Sequence, residues 1–281
     1  IVYTNLACDA NLLTFHRLAE FYHVPVFSID VPSRQTASNV AYVATQLRAL
    51  KGFLEQTTGK KINEELLSQR VARGRKTLEQ FDTFQSARAD RYIPSDLVSP
   101  LYSGMTNNIL LGTEEEKLYT EKLLQDVKRA PSKKGKHIYW MHTIPFWSDA
   151  VKEALLLNDS AQIVGGELSQ VTDLSVHSED PYEEMAMRLV YHALNGPISR
   201  RIEAGIRHAK QAGADGAVWF NHWGCKHTLG GSRIAKKRFE EAGIPMLILD
   251  GDGCDRSHGG EGQTSTRLGA VLEMLWDFDY E

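Results

Sequence analysis

Three cysteines, Cys8, Cys225 and Cys254, are the residues of this sequence best suited to chemistry. Each sits in a loop that follows a strand-like run, where active sites of open parallel sheets form. The first loop is Thr4-Asn5-Leu6-Ala7-Cys8-Asp9-Ala10-Asn11. A thiol at a strand-to-helix turn is favoured as thiolate by the N–H groups of the helix start. The alternative for Cys8 is a small residue filling a tight turn. The second loop runs from Phe220 to Ser232 and holds His222, Trp223, Gly224, Cys225, Lys226 and His227. Lys226 brings positive charge beside Cys225, and the glycines let backbone N–H groups approach an anion or a cluster sulfide. This density of reactive types favours a functional loop over one that merely packs. The third loop, Asp250 to Gln263, carries Cys254 among five glycines and several carboxylates. There Cys254 reads as a small buried residue in preference to a ligand.

Other chemistries are excluded by spacing. The second loop has no Cys-x2-Cys or His-x3-His pair for zinc. In the third, Cys254 and Asp255 occupy the middle ligand position and the required glycine of a calcium loop. No Gly-x-Gly-x-x-Gly follows a strand, and Thr58-Gly59-Lys60-Lys61 lacks the leading glycine and the hydroxyl of a P-loop. No Gly-x-Ser-x-Gly is present for a serine hydrolase.

The elements that must position these loops alternate short apolar runs with helical periodicities, which predicts an α/β fold with a parallel sheet. A β-branched run opens the chain, and Val26 to Ile29 is a second strand. Helices are predicted over Asn39–Gln56, with Val40, Val43, Leu47 and Leu50 on one face, and over Ile62–Phe84, with Leu66, Leu67, Val71 and Leu78 inward. Glu114–Val127, carrying Leu118, Leu123 and Leu124, completes a helix-rich insertion. Ala130 to Lys136 reads as a linker, giving an N-terminal lobe over 1–130 and a C-terminal α/β lobe over 131–281. Beyond it, strands are predicted at His137–His142, Gln162–Val164, Ala217–Asn221 and Pro245–Asp250. Helices are predicted at Phe146–Leu157, Ile198–Ala212, Gly231–Ala242 and Thr264–Phe278. Asp180-Pro181 opens one more, with Met185, Leu189, Val190 and Ala193 on one face. These strand-helix units suggest a flavodoxin-like or Rossmann-like half. No internal repeat is visible. The chain opens within a strand and without Met, so part of the first lobe is expected to lie upstream.

The bulk numbers narrow the setting. With 281 residues, 42% hydrophobic, the chain can bury one large core or two medium ones. Its net charge of −4 and lack of a long basic run argue against a nucleic-acid partner. Apolar stretches of five or six residues are too short to span a membrane. An odd, scattered set of cysteines makes no disulfide framework, so a reducing cytoplasm is the expected compartment.

At Cys8 and Cys225 the sequence resembles the 2-hydroxyacyl-CoA dehydratase / benzoyl-CoA reductase family. Asn5 to Pro32 is similar to that family's second cysteine motif, and Gly213-Ala214-Asp215-Gly216 through Gly224-Cys225-Lys226 to its third. The continuation Gly243-Ile244-Pro245, Asp250-Gly251-Asp252, Gly262-Gln263 and Thr266-Arg267-Leu268 is similar too. The resemblance implies two α/β lobes with a [4Fe–4S] cluster between them, held by three cysteines. It implies an oxygen-sensitive enzyme with a homologous second subunit, an ATP-dependent iron–sulfur activator protein and an acyl-CoA substrate. One-electron reduction would give a ketyl radical that expels the 2-hydroxyl, so that water is lost without net redox change. Cys8 and Cys225 match cluster ligands. The third ligand is expected upstream, with Cys254 as the alternative, and His222, Trp223 and Lys226 are expected to line the reaction cavity. The resemblance leaves other readings open: reduction of benzoyl-CoA or another small molecule, a cluster-bearing partner without catalysis, or a cluster-free binding module.

Overall fold

The computed structural model describes residues 1–6, 8–169, 173–258 and 260–277, and of Asp9 the backbone only. The chain falls into two compact units. The first comprises residues 1–76 and 172–201, the second 77–171 and 202–281.

In the first unit, strand β1 (Val2–Thr4) is followed by helix α1 (Asp9–Tyr22) and strand β2 (Phe27–Ile29). The strands pair in parallel, Val2 opposite Phe27 and Thr4 opposite Ile29. Helix α2 (Ala37–Thr58) starts where the Thr36 hydroxyl accepts the Asn39 N–H and stops at Gly59, whose φ of +70° suits only glycine without strain. Its buried face is Val40, Val43, Ala44 and Leu47, with Leu50 of the predicted stripe partly buried against the same core. Helix α3 spans Glu64–Ala87, and its first half, through Lys76, belongs to this unit. There Leu66, predicted to face inward, is 45% exposed.

The second unit continues along α3, where Leu78, Phe81 and Phe84 are buried. Helices α4 (Ser99–Ile109) and α5 (Glu114–Arg129) follow. Helix α4 escaped the sequence reading because its apolar residues are thinly spaced and Gly104 interrupts them. On α5 the buried residues are Glu116, Thr120 and Val127, while Leu118 is 62% exposed. Glu116 is taken inward because its carboxylate accepts the Gly112 N–H at 2.7 Å, closing the turn that starts the helix.

Strands β3 (Lys136–Met141) and β4 (Ala161–Gly166) flank helix α6 (Asp149–Leu155). The short helix α7 (Pro181–Val190) lies in the first unit, with Asp180 accepting the Tyr182 and Glu183 N–H groups as its cap. Its buried residues are Tyr182, Glu184, Ala186 and Val190; of the predicted face, Val190 is buried and Met185 and Leu189 are partly buried. Tyr182, Ala186 and Val190 meet Ile29, Val31 and the α2 stripe in the first unit's apolar core. Arg48 reaches Asp180 at 2.6 Å, and Arg75 reaches Glu184 at 3.0 Å.

Helix α8 (Ile198–Gln211) leads to strand β5 (Gly216–His222). Then come the single turn α9 (Lys226–Leu229), α10 (Ser232–Glu241), β6 (Met246–Gly251) and α11 (Glu261–Asp277). The predicted end of α11 at Phe278 lies outside the described residues.

The second unit's sheet is all parallel, ordered β4-β3-β5-β6. Every residue of β3 and β4 is buried, the mark of a parallel sheet covered on both faces. Side chains alternate along each strand. Ile138, Trp140, Val218, Phe220, Leu247 and Leu249 form one core with Val151 and Leu155 of α6 and Leu268 and Leu275 of α11. Met141, of the opposite parity, meets α8 instead, where a side chain at Gly205 would collide with it and with Phe239 of α10. The expected boundary at residue 130 falls inside this unit. Its stretch is tied down by Tyr92 N–H to Pro131 O at 2.9 Å, Lys133 N–H to Asp90 O at 2.9 Å and the Lys133–Asp215 pair at 2.8 Å.

In that strand order the chain moves from β3 outward to β4, then returns past β3 to β5. The order in which strands are added thus reverses between β3 and β5, and a crevice opens at such a point beyond the strands' carboxyl ends.

Candidate functional site

The residues that reach that crevice come from three strand ends. His142 and Thr143 follow β3, His222 closes β5, and the loop from Gly251 to His258 follows β6. His142 has φ of +72°, an uncommon conformation for a non-glycine residue. It is held by its N–H bond to the buried Glu167 carboxylate at 3.0 Å. Its ring stacks on His222 with centroids 6.0 Å apart.

His222 is fixed through Nδ1, which accepts the Gly253 N–H at 2.9 Å. With Nδ1 accepting, the neutral ring carries its proton on Nε2. That atom faces the Cys254 sulfur at 3.9 Å. Gly253 must be glycine for space: a Cβ there would lie 2.8 Å from the Thr143 hydroxyl and 3.4 Å from the His222 ring. Gly224 is constrained likewise, since its Cβ would stand 2.9 Å from His222 Nε2.

Asp252 organises the rest of the loop. One carboxylate oxygen accepts the N–H groups of Cys254 at 2.8 Å and Asp255 at 3.1 Å, and the other meets His258 Nδ1 at 3.1 Å. The Cys254 N–H, then His258, then the Asp255 N–H hold this carboxyl down to about 2. The same contact with Asp252, with the charge of Asp255 behind it, raises the His258 pKa above its ordinary value. The ring of Trp223 lies 6.1 Å from that of His258.

Among the described residues, the ligating atoms of His222, Asp252 and Cys254 lie within 4.8 Å of one another. A cation there would take His222 Nε2, since Nδ1 accepts the Gly253 N–H. The Asp252 bonds to the Cys254 and Asp255 N–H groups fix the Cys254 backbone just beyond β6.

All three thiols are free. Cys254, expected to be buried, is exposed. The reason is that Asp252 turns the loop outward and Gly253, not the cysteine, packs inward. Cys225 is half-buried at the start of α9; its N–H bonds the His222 carbonyl at 2.9 Å, and its carbonyl accepts the Thr228 N–H at 3.1 Å. Lys226 is exposed, and Trp223, at 51% exposure, is no core residue.

Cys8, in the first unit, is exposed and precedes α1 in extended conformation. Its turn is anchored through Asn5, whose amide oxygen accepts the Val31 N–H at 2.8 Å and whose amide nitrogen donates to Asp30 at 2.7 Å. The second unit repeats this device. Asn221 donates to Asp250 at 2.8 Å, across the register pair that joins β5 to β6. Each aspartate is braced from a helix, Asp30 by Tyr42 of α2 at 3.1 Å and Asp250 by Arg267 of α11 at 3.6 Å. The likeness is hidden in the sequence because Asn5 precedes Cys8 by three residues whereas Asn221 precedes Cys225 by four. His142, Glu167 and these asparagines were not singled out from sequence. The strand order, which no local pattern carries, is what marks the ends of β3 and β5.

Comparison with known proteins agrees with the resemblance. The family described as "2-hydroxyglutaryl-CoA dehydratase, D-component" matches residues 1–275. The (R)-phenyllactyl-CoA dehydratase alpha subunit of Clostridium sporogenes is 23% identical over 287 residues, 96% of this chain and 69% of that subunit. Its beta subunit is also 23% identical, over 246 residues, 82% of this chain and 63% of that subunit. The (R)-2-hydroxyglutaryl-CoA dehydratase subunit alpha of Acidaminococcus fermentans is 24% identical over 289 residues. That match covers 96% of this chain and 59% of the relative. The chain thus spans roughly three fifths to two thirds of these relatives' length.

Proposed function

This chain belongs to the 2-hydroxyglutaryl-CoA dehydratase D-component family, and on that premise we propose that it is the iron–sulfur subunit of a 2-hydroxyacyl-CoA dehydratase. It is a cytoplasmic hydro-lyase component that works with a homologous second subunit and an ATP-dependent iron–sulfur activator. The observation that carries this reading is the family match across residues 1–275. No helix among the described residues is long and apolar enough to cross a membrane.

The donor chemistry fits a [4Fe–4S] cluster. Uncrosslinked thiols at accessible strand-end turns are the soft ligands such iron takes, and Cys225 and Cys254 lie after neighbouring strands of one sheet. We assign Cys8 and Cys225 as ligands on the motifs they match, with the third supplied upstream or by Cys254. When bound, the cluster supplies a low-potential electron and an iron open to a substrate oxygen.

The chain's own residues do the remaining work. The Asn221–Asp250 and Asn5–Asp30 bridges hold the two ligand turns against their strands. His222, fixed by Gly253, presents Nε2–H as a donor at the crevice, where it can stabilise negative charge developing on a thioester oxygen. Trp223 and Lys226 face substrate from the same loop, the indole shedding water and the ammonium adding positive charge.

The test is anaerobic purification of this chain with its second subunit, then iron and sulfide analysis and turnover with activator and ATP. On the order of four irons per cluster-bearing chain are expected, with water eliminated from lactyl- or 2-hydroxyglutaryl-CoA. Iron well below one equivalent would sink the proposal. Reduction of benzoyl-CoA in place of dehydration would move the chain to the reductase branch.

A further inference from the structure

The second unit holds a cavity of about 100 Å³ beside the crevice. Leu97, Leu101, Ile144, Phe146, Trp147 and Leu168 form most of its wall, and His142, Thr143 and Gly253 line the side toward the His222 group. No Asp, Glu, Lys or Arg lines it. Leu101, Phe146 and Leu168 are 42%, 46% and 38% exposed, so its mouth is apolar as well. A wider depression of about 710 Å³ lies at the other end of the sheet, lined by Lys136, Asp215 and Met246 where β3, β5 and β6 begin. That end carries none of the strand-end residues of the candidate site.

We propose that the smaller cavity receives the side chain of the acyl thioester, and that the substrate class is a 2-hydroxyacyl-CoA with a short, uncharged, branched aliphatic group. The inference rests on the dehydratase reading and specifies its substrate. Three observations carry it. The cavity shares His142 and Gly253 with the group that holds His222, so an acyl chain seated in it leaves its thioester end at the crevice. Its wall offers a buried carboxylate no ionic partner, so the side chain of 2-hydroxyglutaryl-CoA would be desolvated without compensation. Its size suits a branched group of about four carbons, since an apolar cavity of about 150 Å³ is what holds a benzene ring.

Binding to the unactivated two-subunit complex tests this without turnover. The probes are 4-methylpentanoyl-CoA and glutaryl-CoA, which lack the 2-hydroxyl, with acetyl-CoA as the reference for the CoA portion. Titration calorimetry is expected to show 4-methylpentanoyl-CoA binding at least about tenfold tighter than glutaryl-CoA. Gly166, at the end of β4, lines the cavity, and a Cβ there would make ordinary contacts of 3.4 and 3.5 Å. Gly166→Ala is therefore expected to fold and to weaken 4-methylpentanoyl-CoA several-fold while leaving acetyl-CoA unchanged. Leu168→Arg, at the half-exposed mouth, is expected to reverse the preference toward glutaryl-CoA. Equal affinities for the two longer probes, or Gly166→Ala weakening acetyl-CoA as much, would overturn the proposal. Selective binding in a complex that eliminates no water would uphold the cavity and defeat the dehydratase reading. Water elimination from 2-hydroxyglutaryl-CoA with no preference among probes would do the reverse.

Discussion

The turn that carries Cys8 and the turn that carries Cys225 are built alike and furnished differently. Each follows a parallel strand, and each is tied to the next strand by an asparagine amide on an aspartate, at 2.7 Å in the first unit and 2.8 Å in the second. Among the described residues the sheet beside Cys8 has two strands, and the turn is exposed. Around Cys225 the sheet has four parallel strands whose order of addition reverses, which brings His142, His222 and the Asp252 loop to the same edge. At the Cys225 turn the reversed strand order lets neighbouring strand ends splay and leave room for a site.

The sharpest way to break this comparison is to remove the thiols one at a time. Cys8→Ser and Cys225→Ser are each expected to bring iron in the anaerobic complex below about one per chain, with activity down by orders of magnitude. Cys254→Ser is expected to keep most of the iron. Loss of iron from Cys254→Ser equal to that from Cys225→Ser would make Cys254 a ligand and the two units unequal donors.

Acid separates the units next. His137 in β3 is fully buried and accepts from the Gln162 amide at 3.1 Å. Burial, then the charge of Lys133, lowers its pKa to about 4. Because the unfolded ring titrates near 6.5, the unfolded chain binds the extra proton, and stability is full above that value and falls with pH down to about 4. The loss is on the order of 3 kcal/mol. Urea unfolding at stepped pH should show it, and His137→Gln should flatten the slope.

The two asparagine bridges give a smaller contrast. Asn221→Ala strips a partner from a largely buried site and is expected to cost about 1–2 kcal/mol. Asn5→Ala, in a more exposed turn, is expected to cost less. Equal costs would show that burial does not distinguish the turns.

The smallest effect lies in the Asp252 loop. The Asp252–His258 contact is at full strength between about pH 4 and the raised pKa of His258. It is lost as pH falls through about 2, when the carboxylate is protonated, or rises through the His258 value, when the ring is neutral. Asp252→Asn should return the His258 titration, followed by NMR, toward 6.5.

Much of the frame was legible along the chain. The α/β class, the Asp180 cap and the α2 face follow from local patterns of caps and periodicity, which need no knowledge of distant residues. Where a polar group found a local partner, pattern failed. Glu116 went inward on α5 because its hydrogen bond outweighed the apolar preference of Leu118, and hydrophobic spacing alone registers no such bond. Cys254 went outward for a similar reason, through the side-chain turn that Asp252 makes.

By itself the sequence determined which loops carry the thiols and which family they resemble, since both depend on residue types at short spacing. The order β4-β3-β5-β6, and with it the meeting of His142, His222 and Gly253, was decided only by the fold. Those residues lie up to 111 positions apart, 142 to 253. Long-range strand pairing brings them together, set by burial on both faces of a sheet that no short segment can build alone.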